Sequence, residues 1–522
     1  MSHADAIPHA NMISPADLEA DGDLVSQADL TWQTEMMSRA RRVTRDRAIS
    51  RFEPSAFAQP VTRSQRMARW AAIARGDRFF KFLAIILLGY SLVGRSFAYL
   101  GVPPLFVGEL VLLYGCYTLI FSEDWSRILR TAWVWPLLAF MGWGLLRTVP
   151  FVGIYGADAL RDAAIWAYGA YAIVVASLIC AVPRRLLLLE GYFKSFAKIL
   201  LILSPLTYWL SHFIAPTLPN APWGDVPWLN IKGGDVVVHL TGVFAYTALL
   251  GGLEPWFVVW GTAINLILNF TGRAAMVTMS VGCAILLLLK PRSELLRRFA
   301  LIILLGIGFL WIFDIHFYAP GESPREISAD QIVANLTSIF GDSDNQSLSG
   351  SKEWRLAWWD TIIGYTFHGK YFWGGKGFGV NLADDDGFQV KSDGSLRSPH
   401  NGHLTVLARS GVPGLILWGA TQLGWAGFIV GGYISAKRRQ QQRWAGVFGF
   451  LLIYWFAFMV NAAFDVYLEG PVGGIWMWTI YGVGLAALWI HRNCPETLTE
   501  PRPIHTVSLN MIESKPEISI SR

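Results

Sequence analysis

The feature that most constrains this chain is a series of apolar runs, each long enough to cross a bilayer as a helix. A span needs roughly 17–25 residues. Such runs lie at about 80–100, 104–122, 130–149, 161–181, 196–215, 236–252, 254–270, 273–290, 298–316, 401–434, 444–464 and 470–490. Inside hydrocarbon every backbone N–H and C=O must be bonded within the segment, so runs of this kind are helical. The expected fold is all-α: a polytopic membrane protein of about twelve transmembrane helices. Composition agrees where it bears on this. The chain is 53% hydrophobic and only 16% charged, against roughly a quarter charged in soluble domains. Its 24 Trp residues suit a membrane–water boundary. A net charge of +5 over 522 residues is small, so nucleic acid is not an expected partner. Of four cysteines, Cys116, Cys180 and Cys283 lie in apolar stretches and Cys494 follows the last one, with neither disulfide nor metal spacing.

Lys and Arg in the short loops set the orientation. With the N-terminus in the cytoplasm, the Arg41–Arg51 cluster, Arg184-Arg185, Lys290-Pro291-Arg292, Arg297-Arg298 and Lys437-Arg438-Arg439 all fall inside. Both termini are then cytoplasmic. Residues 1–79 are read as an Arg-rich, partly disordered cytoplasmic segment without the apolar core of a signal peptide. Residues 80–316 carry helices one to nine, 317–400 form a long outer loop, 401–492 carry the last three helices, and 493–522 are a disordered cytoplasmic tail. In the loop, Pro320–Ser351 reads as irregular, and the Trp-rich stretch from Glu353 has the spacing of an amphipathic helix lying along the membrane. Gly411-Val412-Pro413-Gly414 marks a kink in the long run that follows.

Arg95, Arg147, Arg161, Arg273 and Arg355 sit on the outer side, against the usual charge bias. Any one of them can be explained by reaching for lipid headgroups. Five together point to a shared anion, because the guanidinium fork binds two phosphate oxygens at once. Where the loop re-enters the membrane stands Ser398-Pro399-His400-Asn401-Gly402-His403. Pro399, with Ser398 or Asn401 as cap, marks a helix start. An imidazole there suits a general base acting on a sugar hydroxyl. The bland alternative is a pair of interfacial histidines, and no further ligand at metal spacing accompanies them. Asn269-Phe270-Thr271-Gly272-Arg273 is a polar turn that opens a helix, whose N-terminal end favours anions. Gly374-Gly375-Lys376-Gly377-Phe378-Gly379 lacks the Lys-Ser/Thr of a nucleotide-binding phosphate loop. Asp465 and Glu469 face outward between the last two helices and can bind sugar hydroxyls or water. Asp158 and Asp162 flank Arg161 and can pair with it.

The ordered set Gly272-Arg273-Ala274, Trp354-Arg355, Gly375-Lys376-Gly377-Phe378-Gly379, His400-Asn401…Leu404…Leu407 and Gly411-Val412-Pro413-Gly414-Leu415 resembles the O-antigen ligase/polymerase superfamily of GT-C-like membrane glycosyltransferases. The resemblance covers about 80–490 and rests on the order, spacing and sidedness of short motifs. It implies a metal-independent inner-membrane glycosyltransferase without cofactor, acting at the periplasmic face on a glycan carried by undecaprenyl diphosphate. His400, Arg273 and Arg355 would be catalytic, the first as base and the arginines on the diphosphate. Arg161, Arg147, Asn401, His403 and Asp465 would bind substrate. Expected partners are the lipid-linked oligosaccharide, an acceptor glycan or lipid, membrane lipids, and a chain-length regulator and flippase of the same pathway. Two departures stand out. Arg409 occupies a position that is acidic in many relatives. Val238-His239-Leu240 lacks the His-Lys-Asn step of many exopolysaccharide polymerases.

Polymerisation of O-antigen or exopolysaccharide repeats is the leading reading, and ligation of glycan to lipid A core is the alternative within the superfamily. A lipid-linked oligosaccharide flippase or transporter is the rival from another class. It needs charges near the bilayer midplane and repeat symmetry, whereas this chain keeps its charges at helix ends and shows no repeat.

Overall fold

The computed structural model describes residues 63–121, 125–223, 226–269, 273–319, 325–328, 330 and 346–498. Residues 1–60, most of the tail expected at 493–522, most of the irregular loop 320–351, and Gly272 lie outside these; within the tail, Pro495–Leu498 form a short 3-10 helix. The chain divides into two units, 1–70 and 71–522. The account below concerns the second.

The long helices are α1 (Arg63–Val93), α2 (Val107–Ile120), α3 (Trp135–Tyr155), α4 (Gly169–Ala181), α5 (Arg185–Phe213), α6 (Gly233–Leu250), α7 (Pro255–Asn269), α8 (Arg273–Leu289), α9 (Glu294–Ile312), α10 (Gln346–Phe367), α11 (Gly402–Arg438), α12 (Gln442–Ala462) and α13 (Pro471–Asn493). Two small antiparallel pairs, 101–102 with 105–106 and 317–319 with 325–327, are the sheet among the described residues. A helix lies over each apolar run read from the sequence. Seven of the described helices, with their flanking turns, are long and apolar enough to cross a membrane, and α2, α7 and α8 are apolar but shorter. The protein is a polytopic, all-helical membrane protein.

Burial sorts the spans. α12 and α13 are 83% and 89% buried over their apolar windows, whereas α9 is 11% buried and exposes Leu304, Leu305, Phe309 and Trp311. A helix apolar all round and packed on few sides is lipid-facing. The inner helices approach closely through glycine. Gly482 of α13 sits where a Cβ would lie 2.6 Å from the Ala172 carbonyl oxygen of α4, and Gly242 of α6 lies against the Tyr454 ring of α12. Close backbone approach of this kind replaces the hydrophobic drive that lipid removes.

Two features position the site. α11 is broken at Gly411, which has φ 70° and ψ −174°, and Pro413 follows. The kink expected from Gly411-Val412-Pro413-Gly414 is therefore present. Phe372 and the glycines after it dock into the break: Val412 N–H donates to Phe372 O at 2.8 Å, and Lys376 and Gly377 N–H donate to Ala408 and Arg409 O at 2.7 and 3.0 Å. α10 lays Trp358 and Ile362 onto Leu407, Ala408 and Val412 of α11. Leu356, Ile363 and Phe367 remain exposed. Its apolar residues thus serve two sides rather than the single stripe expected from the sequence, because protein takes one of them.

Candidate functional site

The start of α11 is built by its own cap. Asn401 Oδ1 accepts from the N–H groups of His403 and Leu404 at 3.0 and 3.1 Å, and the residue is buried. This is ordinary N-capping, and it commits the oxygen that the sequence reading had offered to substrate. His403, one turn in, faces the bundle. Its Nδ1 accepts from Trp418 Nε1–H at 3.0 Å and its Nε2 lies 3.1 Å from Met459 O, which it reaches as a donor. Both ring nitrogens therefore have protein partners.

His400 is held differently. Its φ is 53°, in the left-handed region, which a residue with a Cβ adopts only when its surroundings impose it. Trp359 Nε1–H donates to Pro399 O at 2.9 Å on one side, and the Asn401 cap fixes the other. The Trp354 ring stands edge-on 6.4 Å away. The imidazole is 29% exposed and presents Nδ1 to Asp465 Oδ1 at 3.5 Å. That distance is a loose contact, of the kind that tightens when substrate is bound. Nε2 meets no hydrogen-bond partner among the described residues.

Asp465, in the turn between α12 and α13, also accepts from Lys232 Nζ at 2.7 and 2.9 Å and from Val466 N–H at 2.8 Å. Burial alone would raise its carboxyl, but the His400 ring and the Lys232 ammonium outweigh burial and hold it below the usual carboxylate range. Lys232 precedes α6 and is placed there by pairing of Asn230 with the Val93–Arg95 backbone, which also brings Arg95 within electrostatic range. Arg355 of α10 joins the same turn, with Nη1 donating to Phe464 O at 3.1 Å. The structure thus gathers His400, Asp465, Arg355 and Lys232 at one end of the bundle. Arg273 opens α8, but its side chain lies outside the described residues.

Arg147 and Arg161 belong to a neighbouring arrangement. Arg147 Nε–H donates to Gly374 O at 2.9 Å. Arg161 pairs with Asp158 and Asp162, both at 3.3 Å. Asp162 is also bound by Arg409 at 2.9 Å, by Arg397 at 3.2 Å and by Gly379 N–H at 3.0 Å. These groups pin the glycine-rich turn to the kink. The N–H groups of Gly375, Lys376, Gly377 and Gly379 are thereby all bonded within the chain. A cavity of about 10 Å³, close to one water, opens beside Arg409 between Trp143, Trp166 and Phe378.

Lys232, Arg397 and Arg409 were not singled out as site residues in the sequence. Lys232 is a lone basic residue between two apolar runs, and that isolation was the available signal. Among the described residues no group of three or more His, Cys, Asp or Glu is arranged to hold a metal.

Residues 257–419, which include His400, Arg355, the glycine-rich turn and the kink, match the family model described as O-Antigen ligase. That stretch is similar to O-antigen ligases. No curated protein matches the chain. The matched stretch supplies His400 and Arg355, while Asp465 and Lys232 come from outside it. The chain is thus a multi-pass membrane protein with a stretch similar to O-antigen ligases.

Proposed function

We propose that this protein transfers a glycan from undecaprenyl diphosphate to an acceptor hydroxyl at the periplasmic face of the inner membrane. The observation that carries the reading is His400 Nδ1 facing Asp465 while Arg355 binds the adjoining carbonyl of Phe464, with His400 and Arg355 both in the stretch similar to O-antigen ligases. Nε2 of His400 takes the proton of the acceptor hydroxyl. The freed oxygen attacks the anomeric carbon of the donor, and the bond from that carbon to the diphosphate breaks. The electron pair leaves with the lipid diphosphate. Arg355 and Arg273 offset the charge that grows there, a contribution expected from preorganised cations. Asp465 stabilises the imidazolium once it forms, and Lys232 keeps that carboxylate ionised. Arg147 and Arg161 act through the turn they hold, and His403 and Asn401 shape the helix start.

The basic loops support cytoplasmic termini with all twelve apolar helices crossing, so that 317–400 lies in the periplasm. Joining repeat units on lipid carriers is the reading we favour, and transfer of finished glycan to lipid A core is the second. A deletion strain separates them. Single lipid-linked repeats accumulate if polymerisation is lost, and long lipid-linked chains accumulate if ligation is lost. Normal surface glycan with neither intermediate would contradict both.

A further inference from the structure

Between the two ionic clusters lies a carboxyl that neither uses. Glu469 ends the turn that carries Asp465, one residue before the N-cap of α13. Its carboxyl meets the hydroxyls of Ser398 and Thr405 and is within electrostatic range of Arg409 and Asp162. Ser398 and Thr405 are buried and flank the turn that presents His400. Glu469 Oε1 is itself buried and, among the described residues, meets no hydrogen-bond partner.

Burial and the like charge of Asp162 disfavour a charge at this position. Arg409 is committed to Asp162 and to the carbonyls of Gly377 and Val380. Arg397 spans Asp158 and Asp162. Thr405 donates its hydroxyl proton to Asn401 O at 3.1 Å, so it offers lone pairs to Glu469. Asp162 adds a like charge. An ionised oxygen with no donor is costly where water is excluded. A carboxylic acid removes that cost and carries the proton that the Thr405 oxygen can accept.

We propose that Glu469 acts as a neutral acid, a positioning residue that ties the α12–α13 turn to the start of α11 and so keeps His400 in reach of Asp465. The inference rests on the reading of His400 as the base. Burial pushes the Glu469 carboxyl up to about 7, with Arg409 opposing and Asp162 reinforcing the rise. Its proton is therefore lost near neutrality, and the tie weakens on the alkaline side. The sign for stability follows. A group that holds its proton more tightly when folded contributes stability below its unfolded value, and that contribution is lost as pH rises through about 7.

The test uses the full chain purified in nanodiscs, with lipid-linked glycan extracted from a strain lacking the protein. Transfer and thermal unfolding are followed from about pH 5 to pH 9 for the wild type, Glu469→Gln, Glu469→Ala and His400→Ala. The carboxamide of Glu469→Gln copies the neutral acid in shape and in having a donor. Its transfer stays within about twofold of the wild type on the acid side and does not fall on the alkaline side, and its unfolding temperature does not drop through neutrality. Glu469→Ala loses on the order of tenfold to a hundredfold, as expected when a base is held loosely. Glu469→Gln as inactive as Glu469→Ala, or keeping the wild-type alkaline fall in both transfer and stability, would overturn the proposal. Full activity of His400→Ala would sink the base reading instead. If the extract supports no transfer even by wild type, the unfolding comparison alone still decides on Glu469.

Discussion

His400 holds its left-handed backbone at a cost of about 1–2 kcal/mol, imposed by Trp359 on one side and the Asn401 cap on the other. Strain of this kind gathers at sites where a side chain must be aimed. Removing the indole N–H that donates to the turn is therefore informative. Trp359→Phe keeps the ring and loses the bond to Pro399 O, and transfer should fall by about tenfold or less with little change in folded yield. Asp465→Asn keeps the shape and removes the charge facing the imidazole. A loss of about tenfold to a hundredfold in kcat is expected, with smaller change in KM. Asp465 also predicts an acid limb. Its carboxyl is held below the ordinary value, so the stability it contributes is complete above about pH 4 and is lost as pH falls through the depressed folded value. Unfolding of the wild type should steepen in acid, and that of Asp465→Asn should be flatter.

At the scale of elements, the kink in α11 is the device that joins loop and bundle. A Cβ at Gly411 would lie 2.5 Å from Phe372 O and 2.9 Å from the N atoms of Gly374 and Gly375, at a backbone φ of 70°. Gly411→Ala should therefore undock the glycine-rich turn, seen as lower folded yield and faster proteolysis between 370 and 400. Arg409 is 2% exposed and its partner Asp162 8%. Arg409→Ala leaves a buried carboxylate short of a cation and should cost on the order of 3 kcal/mol, read as a lower unfolding temperature. The helices were legible because spanning length and hydropathy admit one solution. So was the kink, because glycine and proline stand together. The capping by Asn401 was visible in the order Ser-Pro-His-Asn before an apolar run. What could not be read was partnership across distance. His400 meets Asp465, and Arg409 meets Asp162, through packing of α11 on α12, α13 and α3, and residues so far apart in sequence carry no local pattern that pairs them. The same gap explains why Arg147 and Arg161, chosen with the other outer arginines, turned out to hold backbone and carboxylates of the chain itself.

For the whole molecule, sidedness and chemistry are linked. The proposed orientation puts Arg184-Arg185 and Lys437-Arg438-Arg439 on one side and the His400 site on the other. A cysteine introduced at exposed Ser395 should react with an impermeant reagent in intact cells with a permeable outer membrane, and one at exposed Gln440 should react only after lysis. The measurement that bears most directly on the site is release of lipid diphosphate by purified protein supplied with lipid-linked glycan and acceptor, comparing wild type with His400→Ala and Arg355→Ala at equal folded amounts. Both variants should be slower by about a hundredfold or more while still binding the donor. Release by His400→Ala at the wild-type rate would contradict the account.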